Sequence, residues 1–256
     1  MHRYGEADFD ADYLQWGFHD PATQAEEAQS ILRIVGDKGP LHILDLACGI
    51  GTHAIHWAKE GHAVTAVDLS ETFITQAKQA MQKENTTVDF IVSDIKMLSC
   101  CGPYDLVTWI EISFFDLDII ERISRMITDQ GCFIFDARNP ENPKSQFRGG
   151  NWRTWREEKG IFYLERHETD PDTENREDVW ITIDPQREII EEKTNSTPCP
   201  LTLQQKIEIL KKCGFKTVEL RTMRGETFSG GPDPYWLWVV GRKREDDLLH
   251  PPRKQR

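Results

Sequence analysis

From residue 21 onward, apolar positions recur at two different spacings, and the two alternate. Ala25, Ala28, Leu32 and Val35 fall on one helical face, behind Asp20 as a cap and Pro21 in a first turn that needs no N–H partner. Gly36 supplies the stop. A short apolar strand, "LHILDLA", follows, then a helix from Thr52 to about Glu60 ended by Gly61. "AVTAVDLS" reads as the second strand, with Ser70 capping the helix "ETFITQAKQAMQKE". "VDFIVSD" and "YDLVTWI" read as two more strands. In "LDIIERISRMITDQG", Ile120, Ile123 and Ile127 mark one face of a helix that Gly131 ends, and "CFIFDAR" is the fifth strand.

Near-continuous apolar strands alternating with amphipathic helices predict a parallel sheet covered on both faces. Right-handed crossovers make it doubly wound, with ligands bound beyond the carboxyl ends of the strands. The pattern changes at Asn139. Three extended runs, "GIFYLERHET", "EDVWITID" and "REIIEEKTNST", are joined by the turn sequences "DPDTENR" and "PQ". They predict a small antiparallel sheet inserted after the fifth strand. Val179, Ile181 and Ile183 point to one of its faces, Trp180 and Thr182 to the other. Thr202 then caps "LQQKIEILKKC", Gly214 stops it, and "KTVELRTM" and "YWLWVVGRK" bring the main sheet to seven strands. The expected organisation is a lead-in and lid helix over 1–36, a core over 37–140, the β insertion over 141–200, a completing helix and strands over 201–243, and a frayed tail over 244–256.

Charge narrows the partners. Lys+Arg 31 against Asp+Glu 43 gives a formal net charge of −12, which disfavours nucleic acid. The six cysteines form no C-x-x-C pair, so a reduced, cytoplasmic setting is expected. The first twenty residues, acidic and aromatic, do not read as a signal peptide, and no apolar run approaches the ~20 residues that span a bilayer. Isolated histidines and cysteines offer no metal spacing.

The glycine turn Ala47-Cys48-Gly49-Ile50-Gly51 between the first strand and the next helix implies close backbone approach to a ligand. NAD, FAD and S-adenosylmethionine (SAM) all suit such a turn. Asp45 separates them. A carboxylate beside the turn repels a pyrophosphate, whereas the sulfonium and ammonium of SAM are favoured by it. Asp68 ends the next strand 17 residues after Gly51, where a carboxylate accepts from ribose hydroxyls in either cofactor. Asp94, read as ending the third strand, can accept from the adenine amino group while Ile95 packs near the ring. Three acidic strand ends favour SAM.

These residues also carry a resemblance. "ILDLACGIGTH", "AVDLS" and "SDI" resemble the first three motifs of class I SAM-dependent methyltransferases, over residues ~41–138, with Ala47 in the place of the usual first glycine. The Rossmann-like fold of that family and SAM as cofactor, with S-adenosylhomocysteine as product, are what the resemblance implies. It implies a cofactor site of Asp45, Ala47, Cys48, Gly49, Gly51, Asp68, Leu69, Asp94, Ile95 and Ile110. More loosely, "DFDADYLQWG" and the β insertion resemble small-molecule N-methyltransferases of the amino-sugar and glycine/sarcosine type, which would place Tyr13 and Trp16 in a flap over SAM. An aromatic wall suits a sulfonium, and a lid excludes water.

On the acceptor side, Glu111, after the fourth strand, is the candidate to hold an amine and assist its deprotonation; a structural carboxylate capping the next helix is the other reading. Trp152 and His167 are candidates for contact with the acceptor, and the insertion's aromatic residues suit a lid, a small core or a homodimer contact equally. The expected activity is methyl transfer to a small-molecule amine. Methylation of oxygen or carbon, with His167 as a base, stays open, as does a non-catalytic SAM-binding module.

Overall fold

The computed structural model describes residues 21–36, 39–98, 102–111, 115–142, 153–158, 160–169, 175–198 and 201–244. The main sheet has seven strands: β1 (His42–Leu46), β2 (Ala63–Asp68), β3 (Asp89–Val92), β4 (Tyr104–Trp109), β5 (Ile127–Arg138), β10 (Thr217–Thr222) and β11 (Trp236–Arg242). Their order is β10-β11-β5-β4-β1-β2-β3, and only β11 runs against the rest. The chain leaves β1 toward β2 on one side and returns to β4 on the other, so the topological switch point lies between β1 and β4. A ligand crevice is expected there.

Helices α1 (Pro21–Val35), α2 (Thr52–Lys59) and α3 (Glu71–Lys83) cover one face, packing Ile31, Trp57 and Ile74 on Ile43, Ala66, Leu106 and Ile134. Helices α4 (Leu117–Met126) and α5 (Leu203–Lys212) cover the other, packing Ile119, Ile120, Ile123 and Leu210 on Val107, Phe133 and Phe135. Two of the expected caps are present, and the third, Asp20, lies outside the described residues. The Ser70 hydroxyl accepts from the Phe73 N–H at 3.0 Å, and Thr202 and Gln205 form a reciprocal capping box.

Three expectations are corrected. The helix read through Gly131 ends at Met126, and Ile127 opens β5 opposite Tyr104. An isoleucine that continues a helical stripe serves equally well on a strand, and pairing with β4 decides between them. The inserted sheet has four strands, not three, in the order β6 (Arg153–Glu158), β7 (Ile161–Thr169), β8 (Asn175–Asp184) and β9 (Ile189–Pro198). The fourth, "RTWREE", is largely charged and is held at an edge by β7. Third, β3 ends at Val92, so Asp94 lies in the turn beyond it.

The insertion's departure from β5 is anchored. Asn139, wholly buried, donates through Nδ2 to the carbonyls of Gly231 and Pro234 at 2.9 and 3.0 Å. Asn142 donates to the Pro232 carbonyl at 2.6 Å. This loop leads into β11. Among the described residues no helix is long and apolar enough to cross a membrane.

Candidate active site

The glycine turn sits at the switch point. Ala47, Gly49 and Gly51 all take positive φ (53, 54 and 77°). The two glycines have different physical reasons. A Cβ on Gly51 would stand 2.6 Å from the Phe90 ring, so this glycine lets α2 close onto the sheet. A Cβ on Gly49 would meet nothing within 4 Å among the described residues, so among these the backbone there faces space that a ligand can use. Ala47 accepts the left-handed conformation despite its Cβ, at some strain.

Asp68, at the end of β2, holds the turn in place. Its Oδ2 accepts the Gly49 N–H at 2.8 Å and its Oδ1 the Ser70 N–H at 2.8 Å. A carboxylate at this place, beside the turn, is the group that ribose hydroxyls require. Asp45 is 3 % exposed and accepts from the Thr108 hydroxyl at 2.7 Å across the β1–β4 pair. Burial pushes its carboxyl up to about 6, opposed by His53 and by the Thr108 hydroxyl. His53 in turn faces Glu27 of α1 at 3.2 Å. Burial and the two nearby aspartates hold the Cys48 thiol well above its usual range, so Cys48 contributes backbone and bulk, not a thiolate.

Beyond β2 and β3, apolar side chains stand among polar ones. Leu69, Val92 and Met97 stay exposed, and Ile95 packs partly on the core. Asp94 is exposed, its Oδ1 accepting the Lys96 N–H at 2.8 Å. A flat ring with one amino group fits such a ledge. Ile110 packs against the α1–α3 side of the core, one residue past β4.

Glu111 follows with φ 58°, an uncommon conformation for a residue with a Cβ. Its N–H donates at 2.6 Å to Oδ1 of Asp136, near the end of β5. Asp136 is 6 % exposed, and burial pushes its carboxyl up to about 6 against the pull of that N–H and of Lys206. The Glu111 side chain is exposed. It does not cap α4: Asp116 does, accepting from the N–H groups of Asp118 and Ile119. The structural reading of Glu111 as a helix cap is thereby corrected.

The structure thus gathers Asp45, Ala47, Cys48, Gly49, Gly51 and Asp68 at the switch point, with Leu69, Asp94 and Ile95 on the β3 side and Ile110 and Glu111 on the β5 side. Tyr13, Trp16 and Trp152 lie outside the described residues. His167 has its backbone in β7 opposite Asp178, and its side chain lies outside the description. Sequence reading missed Thr108, Asp136, Glu27 and Lys206. Asp136 left one local signal: an acid near the end of an apolar strand, as Asp45 is in "ILDLA". Among the described residues no group of acidic, histidine or cysteine side chains is arranged to hold a metal.

Residues 43–131 match the family model described as a methyltransferase domain. A putative methyltransferase of Geobacillus sp. strain WCH70 is 30% identical over 118 residues, 43% of this chain and 48% of that protein. A ubiquinone biosynthesis O-methyltransferase of Nitrosomonas europaea is 29% identical over 117 residues, 44% and 49% of the two chains. The matched region thus spans about half the length of these curated relatives. Among solved structures, the CcbJ methyltransferase of Streptomyces caelestis superposes with a TM-score of 0.72 at 17% identity, covering 88% of this chain and 92% of that one. The sugar N-methyltransferase KedS8 of Streptoalloteichus sp. superposes with a TM-score of 0.65 at 19% identity, covering 96% of each. At these identities the likeness is one of fold.

Proposed function

We propose that this chain, whose residues 43–131 match a methyltransferase-domain model and whose fold is that of solved methyltransferases, is a SAM-dependent enzyme that methylates a small-molecule acceptor, an amine. The observation that carries the cofactor half is the Asp45–Gly49–Asp68 arrangement. A glycine turn opens to a ligand between two carboxylates, one of them buried. Such a turn rejects phosphate and favours a cation. Asp68 would take the ribose hydroxyls, the Leu69–Ile95 ledge the adenine, and the turn with Asp45 the methionine portion. A bound SAM supplies a sulfonium methyl open to in-line displacement by an acceptor lone pair, leaving S-adenosylhomocysteine. The chain's part is to align the acceptor, exclude water and keep the nitrogen neutral. Glu111, exposed beyond β4, is positioned to hold the amine, and the insertion supplies the acceptor-side wall. The resemblance of the insertion to amino-sugar enzymes supports nitrogen. The O-methyltransferase relative keeps oxygen as the second reading.

The test is a pair of measurements. SAM and S-adenosylhomocysteine should raise the melting temperature, by the equivalent of about 2.7 kcal/mol at a hundredfold excess over Kd, while NAD and NADP should not. A shift with NAD and none with SAM overturns the reading. Labelled methyl transfer to members of an amine panel then separates an enzyme from a SAM-binding module.

A further inference from the structure

Beyond the ends of β4 and β5, charge of both signs collects outside the cofactor half of the crevice. Glu111 and Asp136 supply the carboxylates. Arg138, the last residue of β5, holds its guanidinium 5.6 Å from the Trp236 ring centroid. Lys206, in α5, holds its ammonium 5.5 Å from the Phe115 centroid and 5.8 Å from that of Phe135. Burial lowers the Lys206 pKa; Asp136 is near enough to oppose this and Arg138 near enough to add to it.

Among the described residues no carboxylate makes an ion pair with Lys206. Aromatic faces hold a cation in position without neutralising it, so its potential stays directed at whatever enters the crevice. The one buried carboxylate nearby, Asp136, already accepts the Glu111 N–H. An anion that reaches Lys206 pairs an ammonium that burial has partly stripped of water.

We propose that Lys206 receives an anionic group of the methyl acceptor, a carboxylate or a phosphate, and thereby sets acceptor specificity. The proposal rests on the methyltransferase reading. An acceptor anchored there by its anion directs its other end toward Glu111 and the glycine turn. The expected substrate class is an amine that also carries an oxyanion. Lys206 acts through charge and donated hydrogen bonds, which arginine can also supply.

The test uses the full-length protein saturated with S-adenosylhomocysteine and two matched pairs of probes. These are 4-(aminomethyl)benzoate against its benzamide, and phosphoethanolamine against ethanolamine. In calorimetry the anionic member of at least one pair should bind about ten- to a hundredfold more tightly, the range expected for a charged hydrogen bond. The pair that responds separates carboxylate from phosphate. Lys206→Met should abolish the preference and Lys206→Arg should retain it, with melting curves confirming that both variants fold. Equal binding within both pairs, or a preference that survives Lys206→Met, overturns the assignment. A preference lost equally in Lys206→Arg also overturns it, in favour of a removable proton on Lys206. S-adenosylhomocysteine binding without any anion preference sinks this assignment alone. Failure to bind S-adenosylhomocysteine sinks the methyltransferase reading and this assignment with it.

Discussion

Asp45 and Asp68 stand on neighbouring strands, yet their surroundings give them different tasks. Asp68 is fastened by two backbone N–H groups, so Asp68→Ala removes a cofactor contact and loosens the Gly49 turn together. SAM affinity should fall by roughly 1.5–3 kcal/mol, about ten- to a hundredfold, read by calorimetry on folded protein. Asp45 is instead a desolvated charge. Its folded pKa of about 6 lies above the value near 3.9 expected in an unfolded chain, so folded protein binds the extra proton between those limits. Ligand-free stability therefore falls as pH rises from about 4 to about 6, and the full penalty persists above that window. Asp136 acts in the same direction over the same range. Asp45→Asn keeps an acceptor for the Thr108 hydroxyl and removes the charge. At pH 7.5 it should stabilise the free protein, by at most roughly 3 kcal/mol, and the gain should vanish near pH 4 in denaturant titrations. The same variant should weaken SAM binding, because the cation then loses its counter-charge.

Among the elements, β5 carries the most. It supplies Asp136 to the turn after β4, ends in Arg138, and passes the chain into the insertion through Asn139. Asn139 satisfies two carbonyls of the loop before β11 with one amide group. Asn139→Ala leaves both without that donor in a buried place, and should cost about 2–3 kcal/mol in chemical denaturation. Because the latch fixes where the insertion leaves the sheet, the variant should also raise KM for the acceptor more than it changes S-adenosylhomocysteine affinity. Unchanged stability would mean that water replaces the amide.

For the whole molecule, the open question of arrangement is the role of the four-stranded sheet. It emerges from the end of β5, the rim that bears the cofactor turn, so chain connectivity favours an acceptor-side wall over a remote interaction module. Its β9 exposes Ile190, 73 % accessible in the single chain, and a small sheet with a wet apolar face is poorly stable on its own. As an acceptor wall, the insertion predicts that Trp152→Ala lowers kcat/KM for the acceptor and spares S-adenosylhomocysteine binding. As a homodimer contact it predicts dissociation in sedimentation, with acceptor kinetics recovering at higher protein concentration. The first outcome is expected.

The glycine turn, its flanking acids and the alternating strands were legible in the chain because their causes are local. A strand period, a glycine where φ must be positive, and an acid at a strand end all show within a few residues. Ser70 and Thr202 announced their helices for the same reason. The boundary at Ile127 did not, because an isoleucine suits a helix stripe and a sheet edge alike until β4 pairs with it. Nor did β6, whose charged sequence becomes a strand only beside β7. The buried pairing of Asp45 with Thr108 depends on the register of two strands 63 positions apart. The contact of Lys206 with the Phe135 ring joins a helix to a strand across the whole insertion. Periodicity determined the architecture, and the glycine turn with its flanking acids, together with the family resemblance they carry, pointed to the cofactor class. Which carboxylates lose their water, and which backbone N–H they take instead, were decided only when distant segments packed, since desolvation and charge coupling depend on distance in space rather than along the chain.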